Sequence, residues 1–347
     1  MTALMEEILQ QPAALSGLRK YYASPGAIPV KSLRKLVSHW PPTVVFTGMG
    51  SSLYAAYPAQ AYLTSQGVRA LVWETAELVH HHVKILRPDI LLVVVSQSGE
   101  TAEVLRLLEK LPPKTCVVAV TNVEASPLAK GACVLLPMMA GEQVAVSTKT
   151  YTCSVALLMY LAFAIAGTAA RPLTQEVMRA AQAQEKILER PDELISPLVE
   201  FFNQPPYVAV MSRGADLSTV YQGALILKEV VRLAAEPISA AQFRHGPIEI
   251  INPSHRYLIV ARQGRTAKLL LRLASDICKE SGRVMLFTDI PSKPFTNLRL
   301  VQVEPLRLGL GTLVDSVYIQ LLAHEAALRA GLEPGKFEIA QGVTRKE

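Results

Sequence analysis

The chain has 347 residues, 50% of them hydrophobic and 18% charged, with 35 Lys and Arg against 29 Asp and Glu for a net charge of +6. That apolar share can bury a large core over about two domains and excludes a disordered chain. Aromatics are only 6% and the basic residues are scattered, which excludes a nucleic-acid or lipid-headgroup surface and leaves a mild positive bias that suits an anionic ligand.

The opening MTALMEEILQQ carries acids where a secretory leader needs bases followed by leucines, so no leader is expected there. The longest apolar run, Val155 to Gly167, falls short of the ~18–20 residues of a membrane span and reads as a buried helix. Cys116, Cys133, Cys153 and Cys278 stand far apart, with no zinc spacing and no disulfide framework; three of them lie in apolar segments as buried thiols. The expected setting is reducing and cytoplasmic.

In chain order, aliphatic runs alternate with helical patterns. TVVFTGMG precedes SLYAAYPAQAYLTSQG, DILLVVVSQSG precedes TAEVLRLLEK, and TCVVAVTN precedes SPLAKGA. Strands followed by helices predict an α/β fold with parallel sheet covered on both faces. A stretch rich in Pro and charge, from Arg190 to Pro206, reads as a linker, and beyond it the order restarts. YVAVMSRGADLSTVYQGALILKEV echoes the first strand and helix, and RYLIVARQGRTAKLLLRLAS echoes the DILLVVVSQSGETAE segment. Gly50 matches Gly214 at an offset of 164, and Gly99 to Ala102 match Gly264 to Ala267 at 165. Two copies of one doubly wound unit account for this. The copies differ where chemistry is expected: Ser96, Gln97 and Ser98 become Ala261, Arg262 and Gln263, and Ser51 and Ser52 become Ala215 and Asp216.

Parallel sheets collect ligands beyond the carboxyl ends of their strands, where the N–H groups of the next helix face an anion. Gly50, Ser51 and Ser52 end one strand, and Ser96, Gln97, Ser98, Gly99 and Thr101 end another. Gly99 admits a close backbone approach and the hydroxyls and amide supply uncharged donors, a phosphate-binding pattern. Ser98 as a simple helix cap explains one hydroxyl of this group. GMGSS lacks the remaining glycine and acid of a dinucleotide site, and no P-loop is present, so the phosphate belongs to a small metabolite.

Glu229 lies between Leu225 and Leu233 on a predicted helix. Burial on that stripe raises its pKa toward proton transfer; a solvated pairing with Arg232 is the alternative. His245 sits in FRHGP, a fixed loop, as a proton-exchanging or merely hydrogen-bonding residue. Ser147, Thr148 and Lys149 open the apolar helix, either closing over a sugar or capping it. His80, His81 and His82 are consecutive and point apart, so no metal site is expected.

With GMGSSLYAA, SQSGETAE, VAVSTKTYT, GALILKEV, FRHGP and LLAHEAALRAGLEPG in order, the chain resembles the sugar isomerase (SIS) domain family over nearly its whole length. The resemblance is to the isomerase half of glucosamine 6-phosphate synthase and to stand-alone deaminases. It implies two tandem flavodoxin-like subdomains, at 35–188 and 189–330, after a helical segment at 1–34 and before a tail at 331–347 that closes on the site. It implies a homodimer that binds a hexose 6-phosphate or amino-sugar phosphate without cofactor. Ser52, Ser96, Gln97, Ser98 and Thr101 then hold the phosphate, and Gly50, Ser51, Ala145, Ser147 and Gln341 line the sugar. Glu229 moves a proton between C2 and C1, and His245, from the partner subunit, opens the ring. Gln341 and Gly342 stand where the family pattern has a lysine before Val-Thr, Ile226 replaces a further helix lysine, and no glutaminase activity is expected. These departures favour deamination of glucosamine 6-phosphate over synthesis. A fructosamine 6-phosphate deglycase and a non-catalytic sugar-phosphate-binding regulator are the alternatives.

Overall fold

The computed structural model describes residues 1–24, 26–339 and 343–344. The chain divides into two compact units, one of Ala13–Met178 with the described part of Phe337–Glu347, the other of Met1–Pro12 and Arg179–Lys336.

The first unit holds five parallel strands: β1 (Thr43–Gly48), β2 (Ala70–Glu74), β3 (Ile90–Val95), β4 (Cys116–Thr121) and β5 (Val134–Pro137), in the order β2-β1-β3-β4-β5. The second repeats it with β6 (Val208–Ser212), β7 (Ala235–Ser239), β8 (Arg256–Ala261), β9 (Arg283–Thr288) and β10 (Leu298–Gln302), in the order β7-β6-β8-β9-β10. Both are the flavodoxin-like arrangement of two tandem α/β layers, as the internal echo predicts.

Each sheet keeps its hydrophobic runs in the middle. Every residue of β3 and β4 is buried, because helices cover both faces and leave no side for polar residues. Val45, Leu92, Val94 and Ala119 of the first sheet pack with Val104 and Leu107 of the Ala102–Lys110 helix, and Ile259, Leu286 and Ala209 of the second pack with Leu270, Leu273 and Ile277. The edge strands β2, β5, β7 and β10 escape the sequence reading: they are partly exposed, Pro137 ends one and Pro237 lies inside another, where a missing N–H is harmless at an edge.

The apolar run after Lys149 is an 18-residue helix, Lys149–Ala166, long and apolar enough to cross a membrane yet 89% buried inside its unit. Its counterpart Thr312–Arg329 packs on the Leu217–Val231 helix. There Gly223 permits close approach, since a Cβ at that position would sit 2.9 Å from Ile319 Cδ1.

The expected linker is instead mostly the helix Pro191–Phe202. Pro191 occupies the first turn, where its missing N–H is harmless, and Ile195, Leu198, Val199 and Phe202 form a buried stripe that outweighs the composition and the internal Pro197. Cys116, Cys153 and Cys278 are buried free thiols and Cys133 is exposed.

Candidate functional site

The first unit builds a cradle at the end of β3. Ser96 N–H still pairs with Val120 O at 3.0 Å, and the chain then turns through Gly99, whose φ of +66° favours glycine. A Cβ there would lie 2.3 Å from Ser126 Oγ, so no side chain fits. Ser96 Oγ accepts the Gly99 N–H at 3.1 Å and Ser98 Oγ accepts the Glu100 N–H at 3.3 Å. Gln97 O is fixed by Asn122 N–H and by Thr121 Oγ1, each at 3.1 Å. The turn is thus tied to the end of β4, while the Ser96 and Ser98 hydroxyls act as acceptors in these bonds and keep their own hydrogens for a ligand.

The following helix starts at Ala102, with Thr101 and not Ser98 at its N-cap and no side-chain cap. Capping therefore does not account for the hydroxyls here. Thr101 Oγ1 is buried and without a hydrogen-bond partner among the described residues, an arrangement that suits an occupant. The tail reaches the same helix end: Ala102 N–H donates to Thr344 O at 3.1 Å.

Ser52, on the short helix Ser51–Tyr54 after Gly50, joins Gln97 and Ser147 around one recess with an empty volume of about 150 Å³. Met138, Thr150, Tyr151 and Ser154 complete its lining. These four escape the sequence reading, although Ser147, Thr150 or Tyr151, and Ser154 stand three and four residues apart, a helical spacing that marks one face. Gly50, Ser51 and Ala145 do not line this recess, and Gln341 lies outside the described residues. The Lys149 helix is not capped by Thr148; Gln143 Oε1 takes the N–H groups of Thr148 at 3.3 Å and Thr150 at 3.0 Å instead. Lys149 Nζ donates to Glu142 O, pinning the start of the same loop.

In the second unit, Glu229 lies in the last turn of the Leu217–Val231 helix. Arg232 follows at φ +60° as a left-handed C-cap, so Leu233 is beyond the helix and not part of its stripe. Glu229 Oε2 is buried with no hydrogen-bond partner, and burial pushes the carboxyl up to about 7. The buried alternative thus prevails over a solvated face. His245 is exposed, between the Ala240–Phe243 helix and Gly246 at φ +115°, and its N–H donates to Gln242 O at 2.9 Å.

At the strand ends of this second sheet, where the first has its neutral cradle, Arg262 is buried against Asp315. Its Nε lies 3.3 Å from Asp315 Oδ2, Nη2 also pairs with that carboxylate, and Nη1 donates to Glu304 O at 2.7 Å. Asp289 stands 3.9 Å from Nη1. Desolvation raises the carboxyl of Asp216 to about 7 against the opposing pull of Arg262. An anion arriving here meets a guanidinium already engaged by Asp315 and close to Asp289.

Among the described residues no group of three or more His, Cys, Asp and Glu is arranged to hold a metal ion. His80, His81 and His82 end a π-helical turn with neighbouring ring centroids 6.4 and 6.2 Å apart, and His82 stacks on Trp73 at 4.8 Å.

The SIS domain family model matches residues 37–166, which contain the whole cradle. A glutamine–fructose-6-phosphate aminotransferase (isomerizing) from Bartonella henselae is 26% identical over 94% of this chain and 56% of its own length. The chain thus spans about half the length of the curated relatives it matches. The C-terminal domain of glucosamine-fructose-6-phosphate aminotransferase from Francisella tularensis superposes with a TM-score of 0.83 at 22% identity, covering 97% of this chain and 98% of that one. A glucosamine-6-phosphate deaminase from Thermotoga maritima superposes with a TM-score of 0.69 at 20% identity over 96% and 97% of the two chains. The SIS family model thus matches residues 37–166, and the chain has the two-sheet fold of the solved structures it superposes on.

Proposed function

We propose that this chain is an isomerase-type deaminase that converts glucosamine 6-phosphate and water into fructose 6-phosphate and ammonia. The observation that carries the reading is Glu229, a buried carboxyl with an unpartnered oxygen and a pKa near 7, where a base is still available at neutral pH and strong enough to take a carbon-bound proton. The uncharged cradle of Ser52, Ser96, Gln97, Ser98 and Thr101 supports a phosphate as the anchor, held by hydroxyls and a helix start.

In this reading His245 helps open the pyranose to the 2-amino aldehyde. Glu229 removes the C2 proton, giving an enaminol, and returns it to C1, so that the aldehyde becomes a hydroxymethyl group and C2 becomes an imine. Water adds to the imine carbon and ammonia leaves as the carbonyl forms, which balances the equation without an enzyme amine. The exposure of His245 on the single chain suits a residue that serves a partner subunit in a homodimer.

Coupled measurement of fructose 6-phosphate formation tests this. Glu229→Gln should lower kcat by about 10²- to 10⁴-fold, the range of general-base contributions, with substrate binding retained. Unchanged kcat in that variant would refute Glu229 as the base.

A further inference from the structure

His245 is carried by a loop with unequal ends. Before it, Phe243 is fully buried and packs edge to face on Tyr257, with ring centroids 5.9 Å apart. After it, Gly246 sits at φ +115° with open space where a side chain would be, ahead of the short Pro247–Ile250 turn. Among the described residues the His245 ring makes no hydrogen bond, and the bond of its backbone N–H to Gln242 O leaves the direction of the ring to the loop.

The neighbouring residue supplies a tie. Arg244 Nη2 donates to Asp276 Oδ2 at 2.7 Å, 32 positions along the chain on the Ala267–Lys279 helix. Among the described residues this is the one side-chain hydrogen bond or ion pair made by 244–247. Its far end is firm, because Leu270, Leu273 and Ile277 root that helix in the core of the second unit. Lys279 stands 3.9 Å from the other oxygen of Asp276, which leaves Oδ2 to Arg244. The two side chains are 35% and 30% exposed, and a pair so open to water adds little to stability. What it does add is a fixed distance between a rigid helix and the residue beside His245.

We infer that Arg244 and Asp276 are positioning residues, a tether that holds the His245 loop against the Ala267–Lys279 helix and so aims the imidazole at the sugar ring. The inference rests on the proposed role of His245 in ring opening. It assigns the aim of that residue to a contact outside the cradle and away from Glu229.

Hydrogen–deuterium exchange and ammonia release from glucosamine 6-phosphate test it on the full chain, with Asp276→Asn, Arg244→Met, the double variant and Arg244→Lys. The inference expects kcat to fall about tenfold in Asp276→Asn and in Arg244→Met with KM within twofold, since slack in a reacting group costs rate more than binding. The double variant should be no slower than either single one, because one contact is lost only once. Arg244→Lys keeps a cation beside Asp276 and should keep most of the native rate. Amides of 244–250 should exchange faster in the three variants that lack the pair, while the urea midpoint stays as in the native chain. An unchanged kcat in Asp276→Asn, an additive loss in the double variant, or a fall that tracks a lower urea midpoint would each overturn the inference and leave the deaminase reading standing. A native chain that releases no ammonia overturns the deaminase reading instead. Exchange then decides alone: faster exchange at 244–250 in Asp276→Asn supports the tether, and unchanged exchange overturns it.

Discussion

Arg262 and Asp315 form a buried ion pair at the end of β8, the place where the duplicated first sheet ends β3 in Gln97. One scaffold thus carries two solutions at equivalent strand ends. The neutral one leaves its donors available to a ligand, and the charged one satisfies its guanidinium internally.

Asp315→Asn should therefore act on stability and not on the cradle. Removing the closest partner leaves buried Arg262 with only the more distant Asp289 and Asp216 to offset its charge, at a cost of about 1–3 kcal/mol. Urea unfolding would show the loss, and inorganic phosphate binding to the folded variant should match the native protein.

In the proposed role, Glu229 couples activity to pH in one direction and stability in the other. As a base it must be ionised, so kcat/KM should rise as pH increases through about 7. Its folded pKa lies above its ordinary value of 4.5, so the folded state holds the proton more tightly and loses stability as pH rises from 4.5 to about 7. Glu229→Gln lacks that penalty. Thermal melts should show the variant more stable than the native chain at pH 8, by up to about 3 kcal/mol, and equal to it near pH 4.

Thr101→Val removes a buried hydroxyl that has no partner among the described residues. Stability should hold or rise slightly, while phosphate affinity falls about tenfold or more for the lost charge-assisted bond. Gly99→Ala behaves differently: the new Cβ meets Ser126 Oγ at 2.3 Å on a backbone with φ +66°. It should lower both Tm and phosphate affinity, measured by calorimetry on the same sample.

Central strands such as Ile90–Val95 and Arg256–Ala261 were legible because they sit between two layers of helix and read as aliphatic runs, whereas the inner strand Arg283–Thr288 was not singled out. Edge strands such as Ala235–Ser239 had no such run, and the Pro191–Phe202 helix hid behind a composition that resembles a linker. The hydroxyls of the cradle stood out because the second copy lacks them. Gln143 did not, since its amide works through the path of a loop that brings it back to Thr150, seven residues on. The burial of Glu229 was equally undecidable from spacing alone: Leu233, which suggested a continuing stripe, lies past the helix end.

The most direct test of the account is ammonia release from glucosamine 6-phosphate by the purified chain at pH 7.5, with Glu229→Gln as control. The account predicts stoichiometric ammonia and fructose 6-phosphate from the native chain and a rate at least about a hundredfold lower in the variant. No ammonia from a native chain that binds the sugar phosphate, or equal release from both proteins, would contradict it.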